Sequence, residues 1–365
     1  MPPTPIAGVV GPWIETTNVG LGHITDLWAT ERSGVYVLSG QPAADTWAGQ
    51  LWYSEDGMHW RRATMPAERH IDRIHAIAIA SYSGSFVALG LDIDDETFTH
   101  VLISADGRDW QFAGSFKGIG TYLADIDGRL LAFGNLSWPS DPWYSENGGA
   151  TWQRLETASG MAVANGLLAI HRANGYLWAV RSDDPIEDAS IRTPVELWRT
   201  SDGLEWHLVR ELPQSISANK AAMAHGPTGW VITAGRYTFP EDYEQSRDWY
   251  AWYSSDGETW KAARSSPAYV EQIVVDEQGF IGVGRDPGPC CALSESNVRQ
   301  HVWTSADGST WRRLSRKGWH GREIDFITSV GYQVVGVGMD WLLAPGPDGE
   351  AWGVVWEVER SKLLP

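Results

Sequence analysis

Apolar and polar positions alternate in short runs along this chain, and the runs keep a fixed order. Residues 74–80 read IHAIAIA, 86–90 read FVALG and 101–104 read VLIS. The same succession returns as KAAMAHG (220–226), WVITAG (230–235) and AWYS (251–254), and as EQIVVDE (271–277), FIGVG (280–284) and VWTS (302–305). Period-two runs of this length, rich in β-branched and aromatic residues and bounded by Gly, Asp and Ser, predict strands. The third strand opens a recurring decapeptide: LWYSEDGMHW (51–60), VLISADGRDW (101–110), LWRTSDGLEW (197–206), AWYSSDGETW (251–260) and VWTSADGSTW (302–311). A sixth copy, PWYSENGGATW (142–152), is one residue longer. Strand, Ser/Thr-x-Asp-Gly and a returning Trp form a hairpin signal. The hydroxyl and the carboxylate can accept turn N–H groups, and the Gly can take a positive φ. The Trp can bury its ring between sheets.

The Trp anchors recur every 42 to 54 residues, and each interval predicts four short antiparallel strands. Self-similarity at this period, with four strands per unit, is the mark of a β-propeller blade. Beyond Trp311 lie IDFITSV, YQVVGVG and WGVVWEV, three strands with no decapeptide. At the other end, residues 11–16 around Trp13 read as a lone fourth strand. The expected fold is therefore all-β: one domain over 1–365, a seven-bladed propeller of four-stranded blades. The N-terminal strand would complete the last blade beside Trp356 and so remove the open sheet edge. Six self-contained blades are the alternative.

The decapeptide resembles the Asp-box, or BNR repeat, of sialidase-like β-propellers, whose pattern is S-x-D-x-G-x-T-W. Residues 145–152 match it with Asn147 in place of Asp, and the other five copies are one residue shorter. The resemblance implies a propeller with the boxes on the face opposite any ligand site. Asp56, Asp106, Asn147, Asp202, Asp256 and Asp307 are then structural rather than metal ligands. Sialidases of this kind carry an F/Y-R-I-P motif and an arginine triad; no such motif occurs here, so the resemblance transfers no catalytic residue.

Charge and composition narrow the function classes. The net charge of −18 disfavours nucleic acid and anionic membrane surfaces, which recruit clustered Lys and Arg. No apolar run reaches the ~18 residues of a membrane span. The N-terminus lacks a signal-peptide pattern in this numbering, which leaves the compartment open: extracellular or cell-envelope if a leader has been trimmed, otherwise cytoplasmic. Cys290 and Cys291, the only cysteines, are adjacent: two thiols in a loop, a vicinal disulfide, or least readily a zinc site. The acidic run 92–96 reads as a solvated loop or a calcium loop. His70, His75, His301 and His320 form no metalloprotease motif, no nucleophile elbow occurs, and GVGRDPG (282–288) opens no helix. No metal and no cofactor is expected.

The candidate ligand site comes from a ruler. Gly40, Gly90, Gly134, Gly235, Gly284 and Gly338 end the second strands, and Arg181 breaks the series in blade 4. Two residues beyond lie Asp92, Asp183, Asp286 and Asp340; one residue beyond lie Arg236 and Arg285. The longest second-to-third loops follow in blades 4 to 7. Arg181, Asp183, Arg236, Arg285, Asp286, Asp340 and Trp341 are thus the candidate ligand-binding residues at the channel mouth, with mutual ion pairing as the competing reading. Two functions suit this pattern. One is a non-catalytic binding or scaffold propeller for a glycan or protein partner, because loops rich in Trp, Tyr and acids suit such contacts. The other is a sialidase-like glycoside hydrolase or other glycan-acting enzyme, which requires a close carboxylate pair.

Overall fold

The computed structural model describes residues 9–10, 13–21, 26–32, 34–40, 49–57, 59–67, 74–92, 97–134, 141–183, 191–236, 249–267, 270–286, 299–314, 322–330, 333–340 and 352–359. Over these, alternation becomes strands wherever it was read. Blade 1 is Asp26–Arg32, Val35–Gly40, Gln50–Ser54 and Arg61–Arg62; blade 2 is Ile74–Tyr82, Ser85–Asp92, Phe98–Ser104 and Gln111–Lys117. Blade 3 is Tyr122–Ile126, Arg129–Phe133, Trp143–Ser145 and Gln153–Arg154; blade 4 is Leu167–Ala173, Tyr176–Ser182, Val195–Thr200 and His207–Glu211. Blade 5 is Lys220–Gly226, Gly229–Gly235, Tyr250–Ser254 and Lys261–Ala262; blade 6 is Gln272–Asp276, Gly279–Asp286, Arg299–Ser305 and Arg312–Arg313. In each, consecutive strands pair antiparallel, as short hairpin connections require.

A further sheet joins the two ends of the chain, in the order Val9–Val10, Trp13–Leu21, Trp352–Glu359, Gln333–Asp340, Arg322–Val330. Ile14 pairs with Glu357 and Glu15 with Trp356, the register expected from the offset of Trp13. The expectation of seven four-stranded blades is corrected here. Six sheets are self-contained four-stranded blades, as the alternative count has it. The terminal sheet holds five strands, because the chain turns back at Val10, which pairs with Trp13, and adds a short outer strand. The N-terminal strand is also longer than residues 11–16, running to Leu21 opposite Gly353. The innermost strands follow one another in chain order, and Arg322–Val330 lies against Asp26–Arg32, so the sheets form a ring.

The core is a set of seams between neighbouring sheets. Trp178, Val180 and Leu197 of blade 4 pack with Met223, Trp230, Ile232 and Trp252 of blade 5. Val37 and Leu51 of blade 1 meet Phe86, Leu102 and Trp110 of blade 2 in the same way. Burying side chains of this size contributes roughly 1.5–3 kcal/mol each, and the interleaving explains why so many large rings are needed. Trp52 and Trp252, at equivalent places on third strands, are 1% and 0% exposed.

Two features depart from the sequence reading. One helix occurs among the described residues, Ala158–Ala164, between blades 3 and 4. The Thr157 hydroxyl caps it by accepting from Gly160 N, and Thr before a run of Ala, Met and Val is the signal that was available. The second strands of blades 2 and 6, and Gln333–Asp340 of the terminal sheet, also run past the ruler glycine to Asp92, Asp286 and Asp340. Their third strands start early enough to pair with the extra residues: Leu91 with Thr99, Asp286 with Arg299, and Asp340 with Trp352.

Candidate functional site

The boxes share one hydrogen-bonding scheme, varied in blade 6, where the Ser305 hydroxyl donates to the Thr310 carbonyl at 2.7 Å. In blade 1 the Ser54 hydroxyl donates to Asp56 Oδ1 (3.0 Å) and accepts from Gly57 N (2.9 Å), while Asp56 Oδ1 accepts from His59 N (2.7 Å). The indole of Trp60 donates to the Gly57 carbonyl at 3.0 Å. Trp110, Trp152, Trp260 and Trp311 do the same to Gly107, Gly149, Gly257 and Gly308; Trp206 does not. The extra residue of the third box is absorbed by two consecutive positive-φ glycines, Gly148 (71°) and Gly149 (94°). Asn147 Oδ1 still accepts from Thr151 N at 2.9 Å, so an amide serves where the others use a carboxylate.

The boxes of blades 2, 3, 4 and 6 also touch the blade before them. A Cβ on Gly107 would meet Val37 of blade 1, on Gly149 Val101 of blade 2, on Gly203 Leu131 of blade 3, and on Gly308 Val231 of blade 5. The chain leaving one blade bonds to the next box. Thr64 N donates to Arg108 O (2.7 Å), and Trp110 N donates back to Thr64 O (3.0 Å). Trp206 N donates to Ser159 Oγ (3.0 Å), and Trp311 N to Ser265 Oγ (2.8 Å). The box is thus a hairpin for its own blade and a clasp for its neighbour; only the first role was legible in the sequence.

Burial pushes the Asp202 carboxyl up, but the N–H groups of Leu204 and Glu205, the Thr200 hydroxyl and the nearby Arg129 outweigh it and hold it below the usual range. Such a carboxylate stabilises the fold above its ordinary pKa, and that contribution is lost as pH falls through the depressed value. Asp202→Ala is expected to cost about 1–2 kcal/mol. Asp202→Asn should cost less, because Asn147 already does this work in blade 3. Urea denaturation of both variants at pH 7 checks the order.

On the face where second strands end, the structure brings Arg181 and Asp183 together. Arg181 closes its strand in register with Glu196. Its Nε donates to the carbonyl of Ala162 in the helix (2.6 Å), Nη1 to Glu196 Oε2 and Nη2 to Asp183 Oδ1. Trp198 Nε1 donates to the same Glu196 oxygen at 2.8 Å. The guanidinium side chain is 10% exposed, Glu196 17% and Asp183 62%. Beside it, Thr193 and Ile216 exchange two backbone hydrogen bonds (3.1 and 3.0 Å), tying the end of the blade 4 loop to the chain entering blade 5.

Arg236 is buried, with Nη1 donating to Ser217 Oγ at 2.9 Å. Arg285 and Asp286 are the last two residues of their strand, in register with Gln300 and Arg299. Asp340 ends its strand between Arg322 and Trp352. Trp341, Cys290, Cys291, His70, His320 and residues 93–96 lie outside the described residues. Ala162, Glu196 and Ser217 were missed. Glu196 was accessible to register counting, since it stands opposite Arg181 and two residues before the repeat Trp198. The helix carbonyl and Ser217 come from other segments and carry no local signal. No group of three or more metal-ligating side chains occurs among the described residues, and no helix among them is long and apolar enough to cross a membrane.

No protein-family model matches this sequence, and no curated protein matches it. Solved structures do. The GH74 xyloglucanase from Xanthomonas campestris is 14% identical, with 93% of this chain and 55% of that chain covered at a TM-score of 0.54. The GH74 enzyme of Niastella koreensis is 14% identical, covering 90% and 52% at 0.55. The Dos1 propeller is 10% identical, covering 96% and 95% at 0.52. The chain spans about half the length of the two GH74 enzymes. At these identities the likeness is one of fold: the chain is similar to β-propellers, glycoside hydrolases among them, with four-stranded blades.

Proposed function

We propose that this chain is a non-catalytic binding or scaffold propeller that recognises a glycan or protein partner through the face opposite its Asp-box-like hairpins. The observation that carries this reading is the use made of Asp183 and Glu196. Both are counter-ions of one arginine, and Glu196 also accepts from Trp198, so neither is set up as a free acid or base. Removing one partner of a buried pair such as Arg181–Glu196 typically costs several kcal/mol, which suits a strut better than a reacting group. We read the terminal sheet as the closing seventh blade of a sialidase-like ring. In the same reading, Asp56, Asp106, Asn147, Asp202, Asp256 and Asp307 are structural.

Within the proposed site, Arg181, Asp183 and the buried Arg236 shape the rim, and Arg285, Asp286, Asp340 and Trp341 are the residues proposed to bind the ligand. A few placed polar groups beside an aromatic wall suit a sugar or a carboxylate. The glycan-directed reading draws support from the GH74 neighbours, whose fold this chain shares.

The test is a glycan array run beside a hydrolysis screen on aryl glycosides. Binding without turnover is expected, and Arg285→Ala with Asp340→Ala should weaken it at least tenfold while the melting temperature is kept. Turnover would replace this reading with a glycoside hydrolase. Binding unchanged in the double variant would leave these charges as loop ties.

A further inference from the structure

The geometry points to an acid-released latch between blades 4 and 5, in which two imidazoles share one buried indole. Trp230, on the second strand of blade 5, is 2% exposed and packs on Trp178 of blade 4 with ring centroids 4.6 Å apart. His225 of blade 5 lies tilted on the Trp230 ring at 4.4 Å, and His171 of blade 4 meets the same ring edge-on at 6.1 Å. The amide Nδ2 of Asn174, in the blade 4 hairpin at φ 53°, stands 3.4 Å from His225 Nε2. In this arrangement the amide donates and an unprotonated ring nitrogen accepts. The histidines bridge the seam: one comes from each blade, and both sit beside the indole that anchors it.

The charges around the seam are committed elsewhere. Arg172, next to His171, pairs with Asp125 of blade 3. Arg199 lies over the rings of Tyr176 and Trp178 and pairs with Glu258 at 2.6 Å. Asp276, on the blade 6 strand beside His225's own, accepts from Gln278 N at 2.8 Å. Lys220 is at the far end of that strand. A proton arriving at His171 therefore meets desolvation and the imidazole of His225, and one arriving at His225 meets desolvation.

Burial, and then the neighbouring His225, push His171 down to about 4, and burial pushes His225 down as well. Because these values are depressed on folding, the latch contributes fully above the unfolded histidine pKa of ~6.5. It is lost as pH falls from there toward 4. The carboxylates of Asp106, Asp202, Asp256 and Asp307 are held below the ordinary carboxylate range, so their contribution is lost only at lower pH and the two windows separate.

The experiment compares the wild-type chain with the double variant His171→Gln, His225→Gln, using the unfolding equilibrium in urea from pH 8 to pH 5. For wild type the unfolding constant should rise about 30-fold at pH 5 relative to pH 8 from His171 alone, and most of that rise should vanish in the variant. Equal pH dependence in the two proteins would overturn the proposal. If the variant does not fold, the imidazole resonance of His171 in wild type is titrated by NMR. A midpoint below 5 supports the latch, and one near 6.5 rejects it.

Discussion

Gly308→Ala is expected to destabilise the protein by about 2–5 kcal/mol, while Gly128→Ala should cost only about 1 kcal/mol. The two glycines have nearly the same backbone, at φ 74° and 75°, so the left-handed penalty is shared. Their surroundings differ. A Cβ on Gly308 would lie 2.3 Å from Val231 Cγ2 and 3.2 Å from Tyr253 Cβ, both in the preceding blade, whereas nothing lies within 4 Å of a Cβ on Gly128. Val231 is fully buried in its strand, so it cannot move aside without disturbing the seam. Gly308 N must also keep its 2.9 Å bond to Ser305 Oγ, and its carbonyl must keep accepting from Trp311. Urea titrations should show a lower midpoint for Gly308→Ala with an unchanged slope. Equal losses at the two positions would mean that the boxes hold only their own hairpins and do not clasp the neighbouring blade.

Removal of residues 1–21 should have the largest effect of all. It strips Trp13–Leu21 from the terminal sheet and leaves Trp352–Glu359 with a row of unpaired N–H and C=O groups. That strand reads WGVVWEVE, an apolar edge of the kind that recruits other chains. The loss should be on the order of a domain's whole stability, about 5–15 kcal/mol, with concentration-dependent aggregation seen by light scattering. A synthetic peptide of residues 9–21, added in excess, should restore a soluble monomer by supplying the missing strand. If the truncated chain stays monomeric and melts with the full-length protein, the ring does not depend on this closure.

Much of the fold was legible because its signals are local. Alternation, the turn chemistry of Ser54, Asp56 and Gly57, and the spacing of Trp60, Trp110 and Trp152 all lie within a few residues or at a constant offset. The pairing of Glu15 with Trp356 could be read too, since a missing fourth strand at one end left only one complement at the other. The candidate site was legible only as a set of strand ends. Asp92, Asp286 and Asp340 do close equivalent strands, yet a common position along a strand does not say what a side chain meets.

The sequence by itself determined the strands, their order within each blade and the hairpin that ends each third strand, because these follow from period-two patterning and backbone preference. Only the tertiary structure decided what crosses from one blade to the next. That Gly308 seats against Val231, that Trp311 N reaches back to Ser265, and that His171 and His225 close on one indole depends on the rotation between neighbouring sheets, which no residue encodes alone. It decided the role of Arg181 in the same way. The break in the glycine series marked the position, but the partners are a helix carbonyl 19 residues upstream and a carboxylate 15 residues downstream. Burying a guanidinium is costly unless its donors are filled, and the packing of the helix against the blade brings Ala162 O to Arg181 Nε.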